Sequence, residues 1–381
     1  MKICLINNLY KPFSRGGADR VLEITRGGLR ERGFNVFIVS TKPYFSKYID
    51  NKNYYLKSFF HYLNKIPKSV RLFYHLADFL SVKKYFQIKK ILKKEKPDLI
   101  ITHNFKGLGL LIFKAIKNSK IKHAHVLHDI QSIHPSGLMI VGKEDMLEKF
   151  FAKIYYSAVS KIINSPNLII SPSRWLMREH EKRGFFKNSK KIIIPNPVLI
   201  ENNFNLKNKK NNAINFLYVG ELEGHKGIMF LLNVFNKLSK NKNIKLSVIG
   251  KGSEYDKIKN IKNKKINVLG WKTVDQVKKV MKNADCLIVP SLCYENSPTV
   301  IYEAASLGLP VLASRIGGIT EIIHYLGGVL FEAGNEKDLF KKINYILKNP
   351  DFLRKIRISS KHKINEFSVQ NYFGRLGDVL D

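Results

Sequence analysis

The stretch YENSPTVIYEA, residues 294–304, decides how this chain is read. Ser297 followed by Pro298 predicts a helix start: a capping hydroxyl, then proline at the first helical position, where no N–H is missed. The apolar run DCLIVPS (285–291) just before it predicts a buried strand. Glu295 then falls in the strand-to-helix loop and Glu303 inside the helix. Two carboxylates therefore bracket the positive end of a helix dipole, where the N–H groups of Thr299 and Val300 suit an anion. One carboxylate there would cap a helix. Two around a phosphate-sized gap predict a ligand site.

Outward from this stretch the alternation continues. INFLYVG (214–220), IKLSVIG (244–250), INVLG (266–270) and LPVLAS (309–314) read as further strands, with helical patterns from about 226, 253, 273, 298 and 317. The first half does the same with KICLIN (2–7), NVFIVST (35–41), DLIITHN (98–104), KHAHVLHD (122–129), LIISPS (168–173) and KIIIPNP (191–197). Strands alternating with helices predict βαβ units and parallel sheets. At 381 residues two domains are expected. The fold class is α/β, with two doubly wound Rossmann-like domains facing a central cleft. The expected divisions are 1–197, 198–365 and a closing helix over 366–381 that crosses back to the first domain. Residues 201–213, polar with little to bury, read as a linker. Gly220, Gly250, Gly252, Gly270 and Pro290 cluster at strand ends, where ligands of such sheets sit.

The formal net charge is +36, most of it carried by residues 1–200. Residues 41–95 hold thirteen Lys or Arg against three acidic residues, interleaved with Tyr44, Phe45, Tyr54, Tyr55, Phe59 and Phe60. Solvated helices with aromatics turned to a core explain this; so does an amphipathic surface for an anionic membrane. No recognised nucleic-acid motif accompanies the basic residues, and nucleic acid is not expected as a partner. No apolar run is long enough to span a bilayer, and MKICLINN runs directly into a strand without a signal-peptide pattern. Cys4, Cys286 and Cys293 lack any CxxC spacing and read as packing residues of a reducing compartment. The expected location is cytoplasmic, peripheral on the inner membrane face. No clustered ligand set predicts a metal.

The ordered set LYVGELEGHKGIMFLLNVF, LSVIGKGSEY, INVLGWKTVDQV and PSLCYENSPTVIYEAASLGLPVLASRIGGITEII, with SRGGADRVLEITRGGLRERGFNVFIVST near the start, resembles the retaining glycosyltransferases of GT-B architecture, family four. The resemblance implies transfer of a hexose-type sugar from a nucleotide diphosphate sugar, the donor substrate, to a hydroxyl of a glycan or lipid-linked acceptor. No cofactor is expected. It assigns donor binding to Gly16, Gly17, Gly220, Lys226, Gly250, Ser297, Pro298, Thr299, Val300 and Glu303, the last on the ribose hydroxyls. His128, Glu295 and Lys226 are the expected catalytic residues, with Glu295 on the transferred sugar and Lys226 neutralising the leaving diphosphate. Ser171, Arg174 and Asn196 match family positions expected to shape the interdomain region rather than to perform chemistry. One departure stands out: the family's Gly-Arg reads Gly220-Glu221 here, so the charge is reversed. Arg15, His225 and Lys251 are candidates to compensate. Two rival readings are a sugar-nucleotide epimerase of the same fold and a non-catalytic basic protein bound to membrane or nucleic acid.

Overall fold

The computed structural model describes residues 1–14, 16–67, 74, 77–200, 213–239 and 243–380. Arg15, residues 201–212 of the expected linker, and residues 68–73, 75 and 76 of the basic stretch lie outside them. The chain divides into two units, Met1–Leu138 with Asp145–Pro195, and Met139–Glu144 with Asn196–Asp381. In the second unit the helix Val369–Leu380 touches the 3-10 turn Ile364–Phe367.

Each unit is built on one parallel sheet. In the first, β1 (Lys2–Ile6), β2 (Asn35–Pro43), β3 (Tyr54–Ser58), β4 (Leu99–Thr102), β5 (Lys122–Val126), β6 (Leu168–Ser171) and β7 (Lys190–Ile193) run in the order 3-2-1-4-5-6-7. In the second, β8 (Ile214–Val219), β9 (Ile244–Ile249), β10 (Ile266–Gly270), β11 (Cys286–Val289), β12 (Val311–Ser314) and β13 (Val329–Phe331) run in the order 10-9-8-11-12-13. Central strands such as β4 and β11 are buried throughout, as apolar runs covered by helices on both faces require. Two buried clusters flank the second sheet. One holds Leu217, Val289, Ile301 and Tyr302, the other Phe216, Tyr218, Leu231 and Phe235.

The 41–95 stretch departs from the helical expectation. Tyr54–Ser58 extends the sheet edge in register with Val39–Pro43, and Phe59–Lys65 forms a 3-10 turn before the helix Val82–Glu95. Tyr54 and Tyr55 are neighbours on this strand and so fall on opposite faces of the sheet, a setting that helical reading misses. The three-residue β13 was also not anticipated, being too short to carry a pattern.

Both sheets reverse their order once, between β1 and β4 and between β8 and β11. Crevices beyond the carboxyl ends of strands at such switch points are where open α/β sheets bind ligands.

Candidate active site

In the second unit the loops leaving β8 and β11 are bonded to each other. The N–H groups of Leu292 and Cys293 donate to the His225 carbonyl at 3.0 and 3.1 Å. Gly227 takes a positive φ of 76°, and a Cβ there would lie 1.8 Å from the Pro290 carbonyl oxygen. Only glycine allows the loops to meet so closely. The contact brings Lys226 Nζ to 3.0 Å from Glu295 Oε1, and the Ser291 hydroxyl donates to the same oxygen at 2.6 Å. Both side chains are largely buried, at 24% and 16% exposure. Burial pulls the Lys226 ammonium down, but Glu295, Cys293 and Glu221 outweigh it and hold the group above its ordinary range. Lys226 thus stays charged at neutral pH.

Glu221, at the reversed position, is exposed, and its carbonyl accepts the Tyr218 hydroxyl at 2.6 Å. Of the candidates to compensate, His225 is lowered by burial and then by Lys226, so it is neutral near pH 7. Lys251 is exposed, its carbonyl accepting the Leu222 N–H at 2.9 Å. Lys226 is the cation held beside Glu295. Gly250 has a packing reason of its own: a Cβ there would lie 1.9 Å from the Gly220 carbonyl oxygen.

The helix after β11 spans Thr299–Ser306 with Pro298, not Ser297, as its N-cap, and no side chain caps it. The expected Ser297 cap is corrected because its hydroxyl bonds the Tyr302 hydroxyl instead, at 2.8 Å. Asn196 Nδ2 donates to the Ser297 carbonyl at 3.1 Å, fixing the loop from the other side. The helix buries Ile301, Tyr302, Ala304 and Ala305, and leaves Thr299, Val300 and Glu303 half-buried. Its first turn therefore presents backbone N–H groups without a side-chain competitor.

Three supports of Glu295 were not named from the sequence. Ser291 lies four residues before it. Gly318 donates its N–H to the Glu295 carbonyl at 2.9 Å, and Gly317, at φ 52°, would place a Cβ 2.4 Å from that oxygen. Residues Met139–Glu144 run beside the loop: Val141 N–H donates to Leu292 O at 2.9 Å, Tyr294 N–H to Met139 O at 2.8 Å, and the Tyr294 hydroxyl to Glu144 Oε1 at 3.0 Å. The glycine pair opening a helix after β12 was the readable signal. The 139–144 contact, some 150 residues away in sequence, had none.

In the first unit Gly16 is the extended N-cap of the helix Gly17–Glu31, and both glycines are exposed. A Cβ at Gly16 would meet nothing within 4 Å. The buried Asp19 accepts the Gly16 N–H at 3.3 Å and the Asn7 side-chain amide at 3.1 Å, so one carboxylate already holds part of this helix start. His128 follows β5, half-buried, with Nε2 2.8 Å from Nδ1 of the fully buried His103, the ring beside it in a near-stack. His103 Nε2 has no partner. The assignment leaving no buried N–H without an acceptor has His103 Nδ1 donating to His128 Nε2, and His128 then carries its own proton on Nδ1. Burial lowers His128 to about 4, so the ring is neutral. Ser171 donates to the Ser173 carbonyl at 2.8 Å, and Ser173 caps the helix that Arg174 begins, so these residues shape a turn.

Two family models tile this chain: the glycosyltransferase family 4 model over residues 15–202 and the glycosyl transferases group 1 model over residues 200–363. An uncharacterized 42.6 kDa protein in the cps region of Klebsiella pneumoniae is 28% identical over 349 residues, covering 87% of this chain and 90% of that one. An Escherichia coli UDP-Gal:alpha-D-GlcNAc-diphosphoundecaprenol alpha-1,3-galactosyltransferase is 27% identical over 348 residues, 82% of this chain and 84% of that one. Among solved structures, Anabaena HepE in complex with UDP and glucose matches with a TM-score of 0.71 at 18% identity, over 100% of this chain and 99% of that one. Two switch-point sheets, each with its own loop constellation, and two models that between them run from residue 15 to 363 lead to one conclusion: the chain belongs to the GT-B glycosyltransferases of the group 1 and family 4 type.

Proposed function

We propose that this chain transfers a hexose from a nucleotide diphosphate sugar to a hydroxyl of a glycan or lipid-linked acceptor, with retention at the anomeric carbon, in the assembly of a surface polysaccharide or glycolipid. The observation carrying this reading is the charged Lys226 held against Glu295, beside a helix start that no side chain caps. Lys226 and the N–H groups of Thr299 and Val300 serve the diphosphate, whose charge grows as the sugar leaves. Glu303 accepts hydrogen bonds from the ribose hydroxyls. Glu295 meets the transferred sugar, exchanging its ion pair for sugar hydroxyls when donor binds. In the first unit Gly17, at a helix start, is proposed for phosphate, and His128, neutral and with a proton on Nδ1, for a sugar hydroxyl.

In the reaction the bond from the anomeric carbon to the phosphate oxygen breaks while a bond to the acceptor oxygen forms on the same face. The acceptor proton passes to the departing phosphate oxygen. Retaining glycoside hydrolases place a second carboxylate as nucleophile instead. Here Glu295 is engaged by Lys226 and Ser291, a setting that suits holding a hydroxyl. The galactosyltransferase name of the Escherichia coli relative, whose acceptor is lipid-linked, agrees with this substrate class.

A thermal-shift screen against UDP-, GDP-, ADP- and dTDP-sugars tests the reading. A donor at 100 times its dissociation constant adds about 2.7 kcal/mol and raises the melting temperature by a few degrees. The matching donor, incubated with acceptor, yields a product whose anomeric proton coupling equals that of the donor. Inversion at that carbon, or conversion of donor to an epimer without acceptor, would defeat the proposal.

A further inference from the structure

Among the described residues the first unit carries a group of exposed large apolar side chains. Helix Phe150–Ile163 opens with Phe150 and Phe151, 72% and 82% exposed, followed one turn later by Ile154 at 52%. Leu80, Val82 and Phe86, at and before the start of helix Val82–Glu95, are exposed as well. The two groups are neighbours: Phe79 meets the ring of Tyr155 with centroids 6.0 Å apart, and Tyr155 lies one turn on from Phe151. The helix Ile112–Ser119 packs against both flanking helices. Exposed large apolar side chains gathered in this way mark an interaction surface.

Charge names the occupant. Helix Val82–Glu95 contains six lysines, of which Lys84 is largely buried against Asp78 at 2.7 Å, and a single acid, its last residue Glu95, which pairs with Lys2 at 2.6 Å. Residues 149–163 add Lys149, Lys153 and Lys161 with no acid at all. The acids just upstream are engaged: Asp145 with Lys149 at 3.7 Å, Glu148 with Arg183 at 2.7 Å. Exposed phenylalanines on lysine-rich helices match an anionic bilayer surface, where apolar burial and attraction to headgroups act together.

We propose that the start of helix Phe150–Ile163, with Leu80, Val82 and Phe86, is a membrane-docking wedge for anionic lipid. It overlaps the surface expected over 41–95 in Leu80, Val82 and Phe86, and adds the start of the helix Phe150–Ile163. Tyr44 in that stretch stacks on Phe59 with centroids 4.2 Å apart, and the most exposed phenylalanine among the described residues, Phe151, lies outside it. The wedge is independent of the donor site and stands or falls without it.

Co-sedimentation decides the matter, using vesicles of phosphatidylcholine with about one third phosphatidylglycerol, and phosphatidylcholine alone. The wild type binds the anionic vesicles, releases on raising salt to about 0.5 M, and ignores the neutral ones. The double variant Phe150→Ser/Phe151→Ser binds at least about tenfold more weakly while its far-UV spectrum and donor-induced thermal shift are unchanged. Lys153→Glu/Lys161→Glu weakens binding in the same assay and makes what remains less sensitive to salt. The proposal is overturned if the wild type does not sediment with anionic vesicles, or if the serine variant binds as tightly. It is equally overturned if the wild type is a dimer that the serine variant turns into a monomer, since the patch would then be a self-interface.

Discussion

Glu295 and Glu303 carry the same carboxylate within eleven residues, and their surroundings divide the work between them. Glu295 accepts from Lys226 and Ser291 in a loop fixed by Gly318, while Glu303 lies half-buried on a helix between the buried Tyr302 and Ala304. Removing a carboxylate that accepts ribose hydroxyls costs binding: Glu303→Ala should weaken nucleotide affinity about tenfold or more, the loss of a charged hydrogen bond. Removing Glu295 leaves Lys226 without its counter-charge and more available to phosphate. Glu295→Ala should therefore hold donor affinity or raise it slightly, while kcat falls by about 10²–10³. Calorimetry with the free nucleotide and initial rates with donor and acceptor read the two effects apart. Equal nucleotide affinity in wild type and Glu303→Ala would sink the assignment. Both glutamates were visible in one short quotation of the sequence. That Glu295 and Lys226 touch was not, because 69 residues separate them and no periodicity links two loops.

At the scale of elements, the turn Gly224–Lys226 and the loop after β11 behave as one piece, locked where Gly227 meets the Pro290 carbonyl. A methyl group at that position must push backbone aside and also occupy positive φ. Gly227→Ala should cost about 3 kcal/mol or more and lower the melting temperature of the second unit. Gly16→Ala is the contrast, with ordinary backbone angles and open space around its Cβ. It should change stability by no more than about 1 kcal/mol, the difference between two weak caps, yet reduce transfer if phosphate approaches that backbone. Differential scanning calorimetry beside rate measurements tests both, and an unaffected Gly227→Ala melting curve would refute the packing argument. The strands and helices themselves were legible from apolar runs and turn residues, with helix starts observed at Ile228, Tyr255, Val274, Thr299 and Gly317. What escaped were elements whose pattern is short or whose partner is remote: β13, the aromatic β3, and the Met139–Glu144 segment beside the Glu295 loop. The Ser297 cap failed for a related reason, since a tertiary partner, the Tyr302 hydroxyl, outcompeted the local one.

For the molecule as a whole, the excess of positive charge gives the fold no pH switch near neutrality, but the histidines of the first unit do. Burial lowers His123 to about 3 and His180 to about 4, as it does His128, and drives His103 and His125 well below their ordinary range, with neighbouring histidines adding to it. Their nitrogens are engaged in neutral bonds: His123 and His125 each meet the Thr102 hydroxyl at 2.8 Å, and His180 meets Ser132 at 2.6 Å. Such a group is neutral when folded, but in the unfolded chain it takes up a proton once pH drops below about 6.5. The unfolded state then binds more protons, so stability is full above pH 6.5 and declines as pH falls toward the lowered folded values. Each histidine contributes up to about 1.4 kcal/mol per pH unit in that window. Asp129, raised by burial, acts in the opposite sense and is one group against six, the half-buried His134 being lowered as well. In the second unit His225 is the one histidine lowered among the described residues, and it is only half-buried. The chain's two tryptophans report separately, Trp175 from the first unit and Trp271 from the second. Urea unfolding of Trp271→Phe, followed by Trp175 fluorescence, should show a midpoint at pH 5 well below that at pH 7. Unfolding of Trp175→Phe, followed by Trp271, should shift much less. A Trp175 midpoint that stays level or rises on acidification would mean that the buried histidines do not hold the first unit neutral, and the hydrogen bonds through Thr102 and Ser132 would have to be redrawn with charged rings.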